Sequence, residues 1–400
     1  MERQDNSQQR APTTVLVGLT LPGTTPEQTK EHLDELAALA YTRGIKPVGT
    51  FVQRLDKPHG KTWVGTGKVE EIAAFVQAHQ VDSVLFDDEL SPAKVNNLAS
   101  RLACKVWDRT MLILEIFKMR AKTGPAQKQV ELAACEYLLP RLKGMWTHLS
   151  RQKGGGGAGM QGTGEKELET DKRVMHKKIH LLKQELSALE RQTITQRKQR
   201  KNKVKVALVG YTNAGKSTLM RLLTKEDVLV ENKLFATLTT TVRKVVINNT
   251  PFILSDTVGF IRKLPHTLIE SFKTTLTEIR DADLLLHVVD FSHPNFAQHI
   301  QVVNQTLQQL KAHHIPTILI FNKIDQVPLQ QRLGEGSITT NKKEAYDMLS
   351  TKYTKLHKCP VVIISASTPQ NTPALHQLLY KHVATRYQQL YPQNTLKHTS

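Results

Sequence analysis

Between residues 13 and 120, short runs of β-branched and other apolar residues alternate with helical patterns. This alternation predicts an α/β layer rather than a β-sandwich. Two helix starts are marked by proline: Thr25-Pro26-Glu27-Gln28 matches a capping box, and Ser91-Pro92 opens a second helix. The strand candidates are residues 15–19, 47–52, 81–86 and 105–107.

A short glycine-rich stretch, Gly65-Thr66-Gly67-Lys68, precedes a helix that is predicted to begin near Val69. Such a stretch could hold an anion at the N-terminus of the helix. Two glycines at this spacing more often form only a turn, and the turn is the preferred interpretation.

Two amphipathic patterns lie on either side of a glycine-rich stretch at residues 154–164. Their apolar residues recur at steps of three and four, which is typical of the seam of a helix. We therefore predict an antiparallel helical hairpin with a flexible tip, and a kink near Pro140. An interdomain linker is the alternative, but a linker needs no matching seams. The seams are Leu132, Cys135, Leu139 and Leu142, and Met175, Ile179, Leu182, Leu186 and Leu189.

A phosphate-binding loop follows the apolar run at residues 204–209 and precedes a helical pattern that starts at Thr218. This strand, loop and helix are the context that the motif requires. Backbone N–H groups and the helix N-terminus would bind phosphate, Lys216 would bridge the β- and γ-phosphates, and Ser217 would ligate Mg²⁺. The loop reads Gly210-Tyr211-Thr212-Asn213-Ala214-Gly215-Lys216-Ser217.

Two downstream segments predict that the bound base is guanine. Asn322-Lys323-Ile324-Asp325 follows an apolar strand, and the Asp325 carboxylate can accept hydrogen bonds from guanine N1 and N2, which adenine cannot supply. Ser365-Ala366-Ser367 also follows a strand and could bind guanine O6 through a backbone N–H. Both segments lie where α/β sheets bind ligands.

Two further segments are expected to complete the phosphate and metal site. In Asp256-Thr257-Val258-Gly259, the carboxylate would hold Mg²⁺ through water and the Gly259 N–H would face the γ-phosphate. Thr237, within Phe235-Ala236-Thr237-Leu238-Thr239, is the preferred second metal ligand, with Thr241 as the alternative. Lys216 and Gly259 are the catalytic candidates. Phe260 stands where many GTPases have a water-orienting glutamine, so hydrolysis without a further group should be slow.

Charge indicates the class of partner. Lys and Arg total 55 against 36 Asp and Glu, giving +19, and a protein this basic is drawn to polyanions, with nucleic acid first and an anionic membrane surface second. No apolar run is long enough to span a bilayer, and the N-terminal residues lack a signal pattern, so a cytoplasmic location is expected.

The spacing of Cys104, Cys135 and Cys359 fits neither disulfides nor a metal site. The candidate RNA contacts flank the hairpin loop or follow its second helix: Arg151, Lys153, Gly154, Gly157, Arg197, Lys198, Arg200 and Lys201.

The predicted organisation is an N-terminal α/β domain at residues 1–123, the hairpin at 124–202, a GTPase domain with a mostly parallel sheet at 203–391, and a tail at 392–400. With these motifs the chain resembles, over nearly its whole length, the HflX family of ribosome-associated GTPases. The resemblance also rests on runs outside the GTPase domain: Val64-Gly65-Thr66-Gly67-Lys68-Val69-Glu70-Glu71, Phe86-Asp87-Asp88-Glu89-Leu90-Ser91-Pro92, Asp108-Arg109-Thr110-Met111-Leu112-Ile113-Leu114, Gln129-Val130-Glu131-Leu132-Ala133, Leu139-Pro140-Arg141-Leu142 and Gly164-Glu165-Lys166-Glu167-Leu168-Glu169-Thr170-Asp171.

This resemblance implies a GTP hydrolase that binds the large ribosomal subunit and its RNA. We also expect the protein to be a monomer. It also implies splitting of stalled or idle ribosomes under stress, with association controlled by GTP or GDP, and a hairpin loop that faces the peptidyl-transferase region. Two departures stand out. Thr239-Thr240 replaces the usual Asp-Pro, and the chain stops at Ser400 without the additional C-terminal domain of some members.

Asn213 resembles the asparagine that holds K⁺ in potassium-activated GTPases. It could equally be a loop residue that tolerates a left-handed backbone, so K⁺ is an open expectation beside Mg²⁺. Two alternative functions also remain: a ribosome-assembly or RNA-binding factor that depends on GTP, and a GTPase partner of an RNA-modifying enzyme.

Overall fold

The protein is described from a computed structural model, which covers residues 10–142, 161–198, 203–224, 234–235, 241–265, 268, 273–328 and 341–391. By its internal contacts the chain divides into two units. Unit 1 comprises residues 1–119 and 128–184, and unit 2 comprises residues 120–127 and 185–400. Each unit is described by itself.

Unit 1 is built on a four-stranded parallel sheet with strand order β2-β1-β3-β4. Its core contains Val15, Val17, Ile72 and Phe86. The four predicted strands are confirmed, each with slightly different ends. The elements are β1 (Thr13–Thr20), α1 (Pro26–Arg43), β2 (Lys46–Arg54), α2 (Thr66–His79), β3 (Ser83–Phe86), α3 (Pro92–Leu102), β4 (Lys105–Asp108) and α4 (Arg109–Arg120).

The predicted capping box of α1 is confirmed. Gln28 N donates to Thr25 Oγ1 at 3.2 Å, and Thr25 N donates to Gln28 Oε1 at 2.9 Å. The start of α2 was predicted wrongly, because this helix begins at Thr66 rather than near Val69. Gly65 is its N-cap and donates its N–H to Gln53 Oε1 at 2.8 Å, so the glycine-rich stretch forms the first turn of the helix.

The helical region consists of α5 (Gly124–Leu138), a 3₁₀ turn at Leu139–Arg141, and the 38-residue α6 (Gln161–Lys198). α-Helical geometry stops at Leu138 instead of kinking, since Pro140 removes an N–H donor. The first seam is therefore not one continuous helix. α6 begins at Gln161, so Gly162 and Gly164, which were predicted in the loop, are helical.

In unit 1, two ion pairs join α6 to α5, and Ile179 and Leu182 of the predicted second seam are buried. Lys178 pairs with Glu131 at 2.6 Å and Lys183 with Glu136 at 2.7 Å. The antiparallel direction of the two helices stays a prediction, and residues 143–160, with most of the expected tip, lie outside the described residues.

The end of α5 is fixed to unit 1 through the buried carboxylate of Asp108, at the end of β4. Tyr137 Oη donates to Asp108 Oδ1 at 2.7 Å, and Leu90 N donates to Oδ2 at 3.0 Å. The Arg141 guanidinium lies over the Tyr137 ring at 3.5 Å and donates to Leu90 O at 2.7 Å. Burial raises the pKa of Tyr137 far above its ordinary value, so its hydroxyl remains a donor.

Unit 2 contains a six-stranded sheet with strand order β10-β9-β8-β5-β7-β6, in which only β6 is antiparallel to its neighbour among the described strands. This arrangement confirms the predicted mostly parallel sheet. Its elements are β5 (Val204–Gly210), α7 (Lys216–Thr224), β6 (Thr241–Ile247), β7 (Thr250–Asp256), α8 (Lys273–Arg280), β8 (Leu284–Asp290), α9 (Phe296–Gln309), β9 (Thr317–Asn322), a 3₁₀ turn (Ile324–Gln326), α10 (Lys342–His357), β10 (Val361–Ile363) and α11 (Thr372–Leu390).

Apolar residues of this sheet form two buried clusters. In one, Leu208 and Leu254 pack with Met220 of α7 and Leu379 of α11. In the other, Phe321 packs with residues of α9 and α10. Five of the described strands in this sheet are parallel, so their carboxyl ends meet along one edge, which is where the predicted motifs lie: β5, β7, β8, β9 and β10. Within the described residues, the helices are each too short or too polar to cross a lipid bilayer.

Candidate nucleotide-binding site

The phosphate-binding loop joins β5 to α7, and the side chain of Lys216 folds back over it. Lys216 Nζ donates to Gly210 O at 3.1 Å and to Tyr211 O at 2.9 Å. Burial lowers the pKa of Lys216 to about 8, and nearby Asp256 partly offsets this effect. A buried ammonium group that is destabilised in this way is well suited to an anionic ligand.

Two glycines of the loop have no space for a side chain. Gly210 and Gly215 have φ values of +153° and +95°. A Cβ on Gly210 would lie 2.2 Å from Val288 O, and one on Gly215 would lie 2.2 Å from Asn322 Nδ2. The loop backbone is thus packed directly against β8 and β9, so that only glycine fits at these two positions.

The remaining loop residues have distinct surroundings. Tyr211, Thr212 and Ala214 are buried, whereas Asn213 is exposed with φ of +61°. Asparagine tolerates this left-handed conformation better than most residues, so its backbone alone can account for its presence. Thr218 is half-buried in the first turn of α7.

The structure brings together two of the predicted metal ligands. Ser217 Oγ donates to Asp256 Oδ2 at 2.7 Å, and Asp256 is 1% exposed at the end of β7. A hydroxyl and a carboxylate are ligands that Mg²⁺ prefers, so the pair fits this ion. Thr241 is the first residue of β6 and lies opposite Asp256 in the sheet. Ala236, Thr237, Leu238 and Thr239 lie outside the described residues, so the choice between the two threonines stays a prediction.

The segment after Asp256 lies against the phosphate-binding loop. Thr257 Oγ1 donates to Leu208 O at 2.6 Å, and Val258 is buried. A Cβ on Gly259 would lie 2.9 Å from Thr212 Cγ2 and 3.0 Å from Lys216 Nζ, so a larger residue would displace the segment. Gly259 is therefore beside the lysine expected to bind the γ-phosphate.

The side chain of Phe260 is buried in the protein. Its side chain is 1% exposed, and its backbone is hydrogen-bonded to Gly210 and Thr212. A buried phenyl ring can neither donate nor accept a hydrogen bond to water, in agreement with the expectation from the sequence. Phe235, upstream of the metal-binding threonine candidates, is also buried.

At the guanine end, Asn322 connects two of the predicted loops. Its Nδ2 donates to Ala214 O at 2.9 Å, and its Oδ1 accepts from Ala366 N at 2.9 Å. Asp325 is exposed in the following 3₁₀ turn, so its carboxylate is accessible to a ligand. In the last loop, the Ser365 and Ser367 hydroxyl groups are 3.2 Å apart.

Asp290 is a site residue that the sequence analysis missed. It ends β8 and forms an ion pair with Lys323 Nζ at 2.6 Å, which fixes the lysine of the segment predicted to bind guanine. An acidic residue directly after an apolar run, at the same sheet edge, was the available signal. Of the predicted RNA contacts, Arg197 and Lys198 are in the last turn of α6. The others lie outside the described residues: Arg151, Lys153, Gly154, Gly157, Arg200 and Lys201.

Comparison with known proteins gives three family matches along the chain. Residues 30–118 match the family described as GTP-binding GTPase N-terminal, 120–200 the GTP-binding GTPase middle region, and 205–323 the 50S ribosome-binding GTPase family. GTPase HflX of Flavobacterium psychrophilum is 49% identical over 384 residues, covering 95% of this chain and 92% of the relative. GTPase HflX of Escherichia coli is 43% identical over 309 residues, covering 76% and 71%.

Among solved structures, a GTP-binding protein from Sulfolobus solfataricus in complex with GDP is 22% identical with a TM-score of 0.47. That match covers 94% of this chain and 99% of the archaeal chain.

Proposed function

Because the chain belongs to the HflX family of GTPases, we propose that it binds the large ribosomal subunit in the cytoplasm and splits stalled or idle ribosomes under stress. GTP hydrolysis is the activity of this family. The observation that carries the ribosomal part of the proposal is the match of residues 205–323 to the 50S ribosome-binding GTPases. The charge of +19 supports an RNA-rich target.

In the proposed site, Lys216 binds the β- and γ-phosphates and the Gly259 N–H contacts the γ-phosphate. Ser217, Asp256 and Thr237 are the residues that would hold Mg²⁺, which neutralises developing charge on the phosphates. Asp325 and the backbone of Ser365-Ala366-Ser367 select guanine. The phenyl ring of Phe260 offers no group to orient water, so we expect slow intrinsic hydrolysis that the ribosome accelerates.

GTP would order the segments at Thr237 and Gly259 and favour the ribosome-bound state, and hydrolysis would release the protein. Sedimentation with 50S subunits and with whole ribosomes, in a GTP analogue and in GDP, tests this coupling. We expect co-sedimentation with 50S subunits in the analogue and loss of binding in GDP. Equal binding in both nucleotides would instead favour an RNA-binding factor whose nucleotide only stabilises the fold.

Potassium dependence tests the role of Asn213. If its amide holds K⁺ at the phosphates, Asn213→Gly keeps the left-handed backbone but loses the acceleration of GTP hydrolysis by K⁺ over Na⁺. We expect a several-fold loss of that acceleration, measured as turnover rates in the two salts. Asn213→Ala serves as the second variant, because it removes the amide and also strains the backbone. If Asn213→Gly retains the full response to K⁺, the asparagine serves the backbone alone.

The hairpin proposal predicts that residues 154–160 are required for splitting. Replacing them with a short turn should stop ribosome splitting, followed by light scattering, and leave intrinsic GTP hydrolysis unchanged. The segment carries no charged residue, so the salt dependence of 50S binding should also be unchanged.

The double variant Arg197→Ala, Lys198→Ala should, unlike the loop replacement, change the salt dependence of 50S binding. It should lower the slope of log K against log salt by roughly 0.7 to 0.9 for each phosphate that the protein no longer neutralises. Lys342→Ala, Lys343→Ala, at the exposed start of α10, removes the same charge elsewhere and is the matched control. For the replacement of residues 154–160, splitting of ribosomes at the parent rate would show that these residues are only a linker.

A further inference from the structure

The side chain of Tyr211, the second residue of the phosphate-binding loop, is fixed by stacking. The residue is 6% exposed, and its ring lies parallel to that of His299, with centroids 3.9 Å apart and an interplanar angle of 8°. His299 belongs to α9, which packs on the same sheet. The stack therefore sets the direction in which the Tyr211 hydroxyl points.

That hydroxyl contacts the segment that follows Gly259. Arg262 N donates to Tyr211 Oη at 2.9 Å. Two backbone hydrogen bonds lie beside it: Phe260 N donates to Gly210 O at 3.0 Å, and Thr212 N donates to Phe260 O at 2.8 Å. The contact with Arg262 is the one of these three made by a side chain, so a substitution can remove it without altering the loop backbone.

The position of Gly259 depends on these contacts because it directly precedes Phe260. Its Cα is packed so closely against Thr212 and Lys216 that an added Cβ would lie about 3.0 Å from Lys216 Nζ. A small shift of the 259–262 segment would change the distance from the Gly259 N–H to a terminal phosphate. Nucleoside diphosphates lack this phosphate and would be unaffected.

We propose that Tyr211 and His299 are positioning residues for recognition of the γ-phosphate: the stacked ring directs the hydroxyl that holds the Gly259 segment over the phosphate-binding loop. The pair thereby sets how strongly the site prefers GTP to GDP. This inference rests on the proposed assignment of the nucleotide site, and the experiment below separates the two.

The test is Tyr211→Phe, which removes one oxygen and keeps the stacked ring. Affinities for GDP and for a non-hydrolysable GTP analogue are measured by fluorescence titration, and single-turnover hydrolysis is measured with GTP. We expect the analogue to bind about fivefold more weakly, the effect of roughly one hydrogen bond, while GDP affinity changes by less than about twofold. The hydrolysis rate should fall with analogue affinity.

Two variants of His299 test the stack itself. His299→Ala should reproduce the loss of preference for the analogue, and His299→Phe, which keeps an aromatic ring, should restore it. Tyr346→Phe is the matched control, since it removes a tyrosine hydroxyl that donates to Gln370 Oε1 at 2.9 Å in the same unit. That control should leave the ratio of the two affinities unchanged.

The outcomes are distinct. An unchanged ratio in Tyr211→Phe, or equal weakening of both nucleotides with a lower melting temperature, overturns the positioning role. Failure of the parent protein to bind either nucleotide overturns the site assignment instead. Weakening confined to the triphosphate, with rescue by His299→Phe, supports the inference.

Discussion

Asp325→Asn is expected to weaken GTP binding by about 3 kcal/mol and to strengthen binding of xanthosine triphosphate. The carboxylate of Asp325 is exposed after β9 and can accept from both guanine N1–H and the N2 amino group. An asparagine side chain presents one donor and one acceptor, which conflicts with guanine N2 and matches xanthine O2. Competition titrations with the two triphosphates measure the change.

Asp347→Asn is the matched control for this prediction. Asp347 is an exposed carboxylate on α10 of the same unit, so its replacement removes the same charge without touching the predicted base site. We expect its GTP affinity to equal that of the parent. Parent-like GTP affinity in Asp325→Asn would remove this residue from the base site.

Lys216→Ala is expected to abolish most of the stabilisation that GTP gives to the fold. A ligand at 100 times its dissociation constant stabilises the folded protein by about 2.7 kcal/mol. Lys216 supplies the buried cation of the phosphate-binding loop, and its loss leaves the loop without the charge that is proposed to bind γ-phosphate. Thermal melting with and without Mg²⁺ and GTP measures the difference, and the variant should gain far less than the parent.

Melting without nucleotide is the control for Lys216→Ala. Removing a buried ammonium group also removes its desolvation cost, so the unliganded variant should melt close to the parent. Lys342→Ala, an exposed lysine on α10, should keep the full response to GTP. A gain in the Lys216 variant equal to that of the parent would contradict its role in phosphate binding.

The sequence alone predicted the nucleotide edge of unit 2 because its signals are local. Each motif directly follows an apolar strand, and the carboxyl ends of parallel strands meet at one edge. The structure places Asp256 and Asn322 at the ends of two strands of one sheet, and Lys216 at the start of the helix that follows a third. The capping box at Thr25 and the strands of unit 1 were predicted for the same reason.

Where the prediction was wrong, a local signal competed with the periodic one. The seam through Leu139 and Leu142 continued the spacing of α5, but Pro140 ended α-helical geometry at Leu138. Glycine composition suggested a loop at Gly162 and Gly164, yet both are in α6, where the long amphipathic run extends helix formation.

Contacts between distant residues could not be read from local patterns. Asp290 and Lys323 form an ion pair between the ends of two neighbouring strands. Tyr211 stacks on His299, which belongs to a helix far along the chain. The strand register and helix packing that create these contacts are properties of the assembled sheet. The sequence can mark Asp290 as an acidic residue at the end of a strand, but it carries no signal for the partner that each of these side chains meets.

Asn322 has a consequence for the way in which a nucleotide is captured. Its amide spans from Ala214 in the phosphate-binding loop to Ala366 in the loop that is predicted to bind guanine, so one side chain holds both loops in place. Their ordering entropy is lost during folding rather than at the moment of binding. Once one end of the nucleotide has bound its loop, the other end is held near the second loop at a high effective concentration, as in a chelate. The intact nucleotide should therefore bind far more tightly than its guanosine and phosphate halves do as separate molecules.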